Sequence, residues 1–154
     1  MLDVGQSLPD LPLDLGEGGR TSIAAYGDRP LVIYFYPKDD TSGCTKEAQA
    51  FTALLPEFEK LNVTVIGVSK DSAASHAKFA QKYALGIALA ADVDGAVCEA
   101  FGVWVPKSMY GRNYMGIERA TFLIDANVRV AQVWRKVKVA GHAEAVLAAA
   151  RALV

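Results

Sequence analysis

Cysteine and histidine are scarce in this chain of 154 residues, which holds two of each. Two thiols are too few for a disulfide framework, and with His76 and His142 as the available imidazoles they make a poor four-ligand zinc site. An excess of one charge is missing too. Sixteen Lys and Arg stand against 17 Asp and Glu, so the chain lacks the electrostatic footprint of a protein that binds nucleic acid or an anionic membrane. No apolar run is long enough to cross a bilayer, and residues 1–10 lack the basic and apolar stretches of a secretory signal. The expected compartment is therefore the cytoplasm, where thiols stay reduced. The absence of Cys-x-x-Cys disfavours dithiol–disulfide exchange, and Gly16-Glu17-Gly18-Gly19-Arg20 lacks the Gly-Lys-Ser/Thr ending of a phosphate loop and reads as a turn.

What is present describes one globular domain over residues 1–154, because 52% of the residues are apolar and 21% charged, with no linker, repeat or low-complexity tract. Strand-like and helix-like patterns alternate. Leu31–Tyr36 and Val63–Val68 are continuous β-branched and aromatic runs, as expected of strands buried on both faces, with shorter strands at Leu11–Leu15 and Ala88–Ala91. Apolar residues at helical spacing mark Thr41–Leu61, in which Pro56 predicts a kink. Further helices are predicted over Ser72–Tyr83, Asp94–Phe101 and His142–Leu153, and Thr121–Ile124 with Val128–Trp134 form a hairpin signal. This order predicts an α/β protein with a central mixed sheet flanked by helices, on the plan of the thioredoxin fold. The stretch 105–116 is expected to be a loop, His76 an exposed helix residue, and the cations of Arg129–Lys138 a solvated strand edge.

Chemistry concentrates in Tyr34-Phe35-Tyr36-Pro37-Lys38-Asp39-Asp40-Thr41-Ser42-Gly43-Cys44-Thr45-Lys46-Glu47. Cys44 falls in the first turn of a helix that leaves a buried strand. Unpaired backbone N–H groups and the positive end of the helix dipole favour a thiolate there. Such sites lower a cysteine pKa into a range of roughly 3.5–7.5, which makes Cys44 a candidate nucleophile. Pro37 stiffens the loop, Thr41 brings a hydroxyl towards the sulfur, and Gly43 leaves room for close approach.

Pro37-x-x-x-Thr41-x-x-Cys44 resembles the signature of the peroxiredoxins, thiol peroxidases on a thioredoxin-like fold, and its surroundings resemble the bacterioferritin comigratory protein (Q-type) branch. The likeness extends through Phe101-Gly102-Val103-Trp104, Met109-Tyr110-Gly111-Arg112, Gly116–Asp125 and Trp134–His142. It implies that Cys44 is the peroxidatic cysteine, Thr41 the hydroxyl that holds the peroxide oxygens, Pro37 a shield and Arg119 a second cation at the sulfur. Glu47 either orients Arg119 or complements the helix dipole. The resemblance further implies hydrogen peroxide and organic hydroperoxides as substrates, thioredoxin, glutaredoxin or a low-molecular-weight thiol as reductant, a monomer, and no metal, haem or flavin. It also places stretch 105–116 beside Cys44. A non-enzymatic chaperone or interaction role on the same fold is the competing class. Ser42 stands where many relatives have Pro.

A peroxidatic cysteine leaves its reaction as a sulfenic acid, which condenses with another thiol or is over-oxidised. In this branch the resolving cysteine lies five residues on or in the next helix. Here the first position is Gln49, and Ser72–Tyr83 contains no cysteine. Cys98 remains as a resolving candidate, but a disulfide needs Cα atoms within about 7 Å, so a bridge to it requires unfolding around Cys44. A one-cysteine cycle with an external thiol is the leading expectation. The alternative is a Cys44–Cys98 disulfide reduced by thioredoxin.

Overall fold

Leu31–Phe35 forms strand β3, and all five of its residues are buried because side chains on both of its faces meet apolar layers. The computed structural model describes residues 1–154 and places β3 near the middle of a seven-stranded sheet. Its neighbours in sequence are β1 (Pro12–Asp14) and β2 (Arg20–Ser22), then α1 (Ser42–Lys60), β4 (Thr64–Ser69), α2 (Ala73–Tyr83), β5 (Ala88–Ala91) and α3 (Ala96–Phe101). They are followed by β6 (Trp104–Met109), β7 (Arg112–Ile117), β8 (Ala120–Ile124), β9 (Val130–Trp134) and α4 (His142–Leu153). The sheet order is β2-β1-β5-β4-β3-β8-β9, with β3, β4 and β5 parallel and the outer pairings antiparallel. This is the mixed thioredoxin-like sheet that the element order predicts.

Alternation along β3 divides the core into two layers. Val32, Tyr34 and Tyr36 point to one face, where they meet Phe51 and Phe58 of α1, Phe79 of α2 and Val146 of α4. Leu31, Ile33 and Phe35 point to the other, where Phe101 of α3 and Phe122 of β8 close the layer. The parallel β3–β4 pair sets Tyr34 opposite Gly67. A Cβ on Gly67 would stand 2.7 Å from the Tyr34 ring and 2.8 Å from its hydroxyl oxygen, so the missing side chain makes space for the tyrosine beside the cysteine-bearing helix.

Two expectations are corrected. Residues 105–116 are no loop but belong to the two-stranded sheet of β6 and β7, closed by Tyr110 and Gly111 at φ of 51° and 78°. Two successive positive φ values are the requirement of a tight hairpin turn. Its exposed strands lack the apolar alternation that marks a half-buried strand, which hides them in the sequence. His76 is buried, at 4% exposure, because both of its ring nitrogens find partners inside. Strand β2 is a three-residue edge partner of β1 that carries no apolar run. Pro56 lies inside α1 without dividing it into two elements.

The close contact between β4 and Tyr34 yields a stability prediction. Gly67→Ala should lower unfolding free energy by about 1–3 kcal/mol through overpacking against the Tyr34 ring, read from the urea midpoint. An unchanged midpoint would show that the ring moves freely and does not depend on this space.

Candidate active site

Helix α1 starts at Ser42 with Thr41 as its N-cap, and the first helical hydrogen bond runs from Thr45 N–H to the Thr41 carbonyl at 2.8 Å. Cys44 is thus the third residue of the helix, within the first turn whose amides precede the internal ladder. The cysteine is buried at 2% exposure, on the β3 face that carries Val32, Tyr34 and Tyr36. Thr41 does not use its hydroxyl to cap the helix. Its Oγ1 donates instead to the Lys38 carbonyl at 2.8 Å, which fixes the proton and leaves the oxygen as an acceptor at the exposed mouth of the loop.

Arg119, immediately before β8, reaches across to Cys44. Its Nη2 donates to Sγ at 3.3 Å, while Nη1 donates to Glu47 Oε1 at 2.7 Å. One guanidinium fork therefore joins the thiol and a carboxylate from successive turns of the same helix, a geometry that a lysine ammonium does not reproduce. Gly43 lets the fork in: a Cβ there would meet Nη2 at 3.2 Å. Burial pushes the Glu47 carboxyl up to about 7, against the pull of Arg119. For Arg119, burial acts against the charge, but Glu47 and Cys44 outweigh it and hold the group above its ordinary value. Of the two roles expected of Glu47, the contact made is with Arg119.

Two buried polar atoms here have no hydrogen-bond partner, Glu47 Oε2 and the Tyr34 hydroxyl. Burial, with Glu47 and Cys44 close by, keeps that phenol well above its ordinary range, so it is a neutral wall of the site. Beyond Arg119, His142 accepts or donates across 2.7 Å to Thr121 Oγ1, and burial together with the arginine's charge lowers its pKa to about 4. It is a neutral, packed histidine against Phe51 and Trp134.

Cys98 lies elsewhere. It is fully buried in the opposite layer with Phe35 and Phe101, its N–H bonded to Asp92 Oδ2 at 2.8 Å. Burial, reinforced by Asp92, pushes its thiol far above the ordinary range. The central sheet stands between the two cysteines, since they pack against alternate residues of β3. Sequence reading also passed over Asp39, which gathers Tyr36, Ser75 and His76 around its carboxylate. The doublet Asp39-Asp40 next to Thr41, and Ser75-His76 in α2, were the available signals. Burial, with the charge of Arg119, holds the half-buried Lys107 of β6 below its ordinary value, and β7 ends at Ile117, two residues before Arg119. The largest concavity, about 660 Å³ between Leu15–Gly18 and α2, touches none of Cys44, Thr41 or Arg119.

Linkage gives Glu47 a measurable signature. Its folded pKa lies above its unfolded value, so it contributes stability below about pH 4.5 that is lost as pH rises through about 7. Thermal denaturation of wild type should show melting temperature falling between those values, and Glu47→Gln, which keeps an oxygen for Arg119, should flatten that slope. An identical slope in the variant would remove Glu47 as its source.

Comparison with known proteins fits this geometry. Residues 4–133 match the AhpC/TSA family. The chain is 51% identical to peroxiredoxin Bcp of Xanthomonas campestris over 99% of its own length and 98% of the relative's, and 45% identical to peroxiredoxin Bcp of Bacillus subtilis over 92% and 90%. Among solved structures, bacterioferritin comigratory protein of X. campestris, studied as trapped intermediate and ligand complexes for its alkyl peroxide reduction, superposes with a TM-score of 0.91 at 51% identity, covering 97% of this chain and 98% of that one. Peroxidoxin BcpB of Mycobacterium tuberculosis superposes with a TM-score of 0.88 at 32% identity over 100% and 99%. A cysteine in the first turn of a helix, forked to an arginine, thus stands in a chain that belongs to the AhpC/TSA family, among its peroxiredoxins.

Proposed function

We propose that the chain reduces hydrogen peroxide and organic hydroperoxides through Cys44 in a one-cysteine cycle. The observation that carries this reading is the 3.3 Å contact between Arg119 Nη2 and Cys44 Sγ at a helix N-terminus, which supplies fixed positive charge where a thiolate must form. Thiolate attack forms an S–O bond and breaks the O–O bond. Cys44 is oxidised by two electrons to the sulfenic acid, and the departing alkoxide or hydroxide takes a proton to leave as alcohol or water.

The site residues divide the labour. The Thr41 oxygen, its own proton committed to Lys38, accepts the hydroperoxide's O–H and so aims the terminal oxygen at sulfur. Arg119 and the free amides of the first turn stabilise charge that passes from sulfur to the leaving oxygen. Glu47 holds the guanidinium in plane, and Pro37 removes one backbone donor and screens the sulfur from water. Thiolate chemistry of this kind calls on no metal, haem or flavin.

Resolution then falls to an external thiol, from thioredoxin, glutaredoxin or a small molecule. Its sulfur attacks the sulfenic acid, water leaves, and a second thiol releases Cys44 from the mixed disulfide. Supporting this over a Cys44–Cys98 disulfide is the position of Cys98 behind the sheet, fully buried, with a thiol that burial keeps protonated. We take the protein to act as a monomer, as the family likeness implies. No helix is long and apolar enough to cross a membrane, and we take the cytoplasm as the compartment.

Peroxide consumption by reduced protein tests the assignment. Cys44→Ser should abolish it, Arg119→Lys should slow it by roughly 10- to 100-fold, and Cys98→Ser should leave turnover with an external thiol intact. Consumption that survives Cys44→Ser would refute the reading.

A further inference from the structure

The loop from Pro37 to Thr41 must hold Thr41 over Cys44, yet it has little secondary structure of its own and includes Asp40 in the left-handed region at φ 56°. What fixes it is a polar cluster behind it. The Asp39 carboxylate takes the Tyr36 hydroxyl on Oδ1 at 2.5 Å, and on Oδ2 the Ser75 hydroxyl at 2.8 Å and His76 Nδ1 at 2.7 Å. Its own N–H donates to Asp71 Oδ2 at 2.9 Å, and Asp71 is in turn held by the Ser69 hydroxyl at 2.7 Å. One loop residue is thereby tied to β3, to α2 and to the turn between β4 and α2. Asp39 and His76 are both nearly inaccessible, at 7% and 4% exposure.

Partners on both sides hold the imidazole. His76 Nε2 faces the Ala90 carbonyl at 3.0 Å, an acceptor only, so that nitrogen carries a proton. Burial acts to raise the Asp39 carboxyl, but hydrogen bonds from His76, Tyr36 and Ser75 outweigh it and hold the group below its ordinary value, so it is ionised. His76 Nδ1 lies 2.7 Å from Oδ2 and Nε2 3.0 Å from the Ala90 carbonyl, so the ring spans the loop and the β5 backbone. None of these groups touches Cys44, Arg119 or Glu47 by hydrogen bond, so the peroxide chemistry does not account for them.

We propose that Asp39 and His76 are positioning residues for peroxide reduction: their buried contact clamps the Pro37–Thr41 loop to α2 and so sets where Thr41 stands relative to Cys44. The lever is short. Lys38 and Thr41, whose carbonyl and hydroxyl meet at 2.8 Å, bracket Asp39 and Asp40, and a shift of Asp39 displaces both ends of that contact. Asp40 adds a second tie to α2, accepting from Lys82 at 2.8 Å and Tyr83 at 2.5 Å, but that pair is exposed and weakly held. The clamp rests on the assignment of Cys44 as the peroxidatic thiol.

Two reactions of the same thiolate test it: oxidation by hydrogen peroxide, which needs an aligned Thr41, and alkylation by iodoacetamide, which needs only an accessible thiolate. Asp39→Ala and His76→Ala should each slow oxidation by roughly 10- to 100-fold while alkylation stays equal or rises. The double variant should be no slower than either single one, because the pair acts as a unit. Asp39→Asn should return oxidation to within about threefold of wild type, since its Oδ1 still accepts from Tyr36 while its Nδ2 donates to His76 Nδ1 and to the Ser75 hydroxyl oxygen. Val146→Ala, a core truncation on α4, controls for lost stability and should leave the ratio of the two rates unchanged. Equal loss in both reactions, an unchanged ratio in Asp39→Ala, or an Asp39→Asn variant as slow as Asp39→Ala would each overturn the clamp. A wild-type Cys44 that is alkylated but never oxidised would overturn the peroxidatic assignment and the clamp with it.

Discussion

If Cys44 is the reacting thiol as proposed, a negative charge on its sulfur has to be made stable where water barely reaches, and the residues around it are placed to meet that demand. Cys44 is buried, so solvent supplies little of the stabilisation. The start of α1 supplies oriented amides, and Arg119 supplies a full charge 3.3 Å from Sγ. The arginine needs its own counterpart, and Glu47 provides it one turn along the same helix at 2.7 Å. Thiol, guanidinium and carboxylate thus form one unit that spans α1 and the start of β8, two elements brought together only because β8 pairs with β3 in the sheet. Taking either charged partner away would strand the other in a poorly solvated site.

The same sheet keeps the second thiol out of this unit. Because side chains alternate across β3, the layer that holds Cys44 and the layer that holds Cys98 share a backbone and no side-chain space. Burial makes Cys98 a packed, protonated group among Phe35 and Phe101. On the proposed one-cysteine cycle, electrons for the next turnover enter from outside, past the Pro37–Thr41 loop. Rigidity of that loop favours alignment with peroxide and opposes approach of a bulky reductant, so its clamp to α2 bears on both halves of a cycle.

Much of this was legible in the residues. Apolar runs locate β3 and β4, helical spacing locates α1, an N-cap serine locates α2, and the step from strand to helix points to Cys44. Arg119 was legible only through family likeness, since nothing local distinguishes an arginine at a strand start from a solvated one. Local pattern failed where partners come from distant segments. His76 looked exposed because its neighbours in α2 are small and polar, while its partners arrive from Asp39 and Ala90. The β6–β7 hairpin failed for the opposite reason: its strands pair with each other in solvent, so no burial imprints a period on them.

The chemical identity of oxidised Cys44 decides between the two cycles most directly. Reduced protein treated with one equivalent of peroxide, trapped with a sulfenic-acid reagent and digested, should yield a trapped Cys44 peptide and an unmodified Cys98 peptide by mass spectrometry. A peptide pair cross-linked through Cys44 and Cys98, with the loss of two hydrogens in the intact mass, would contradict the account.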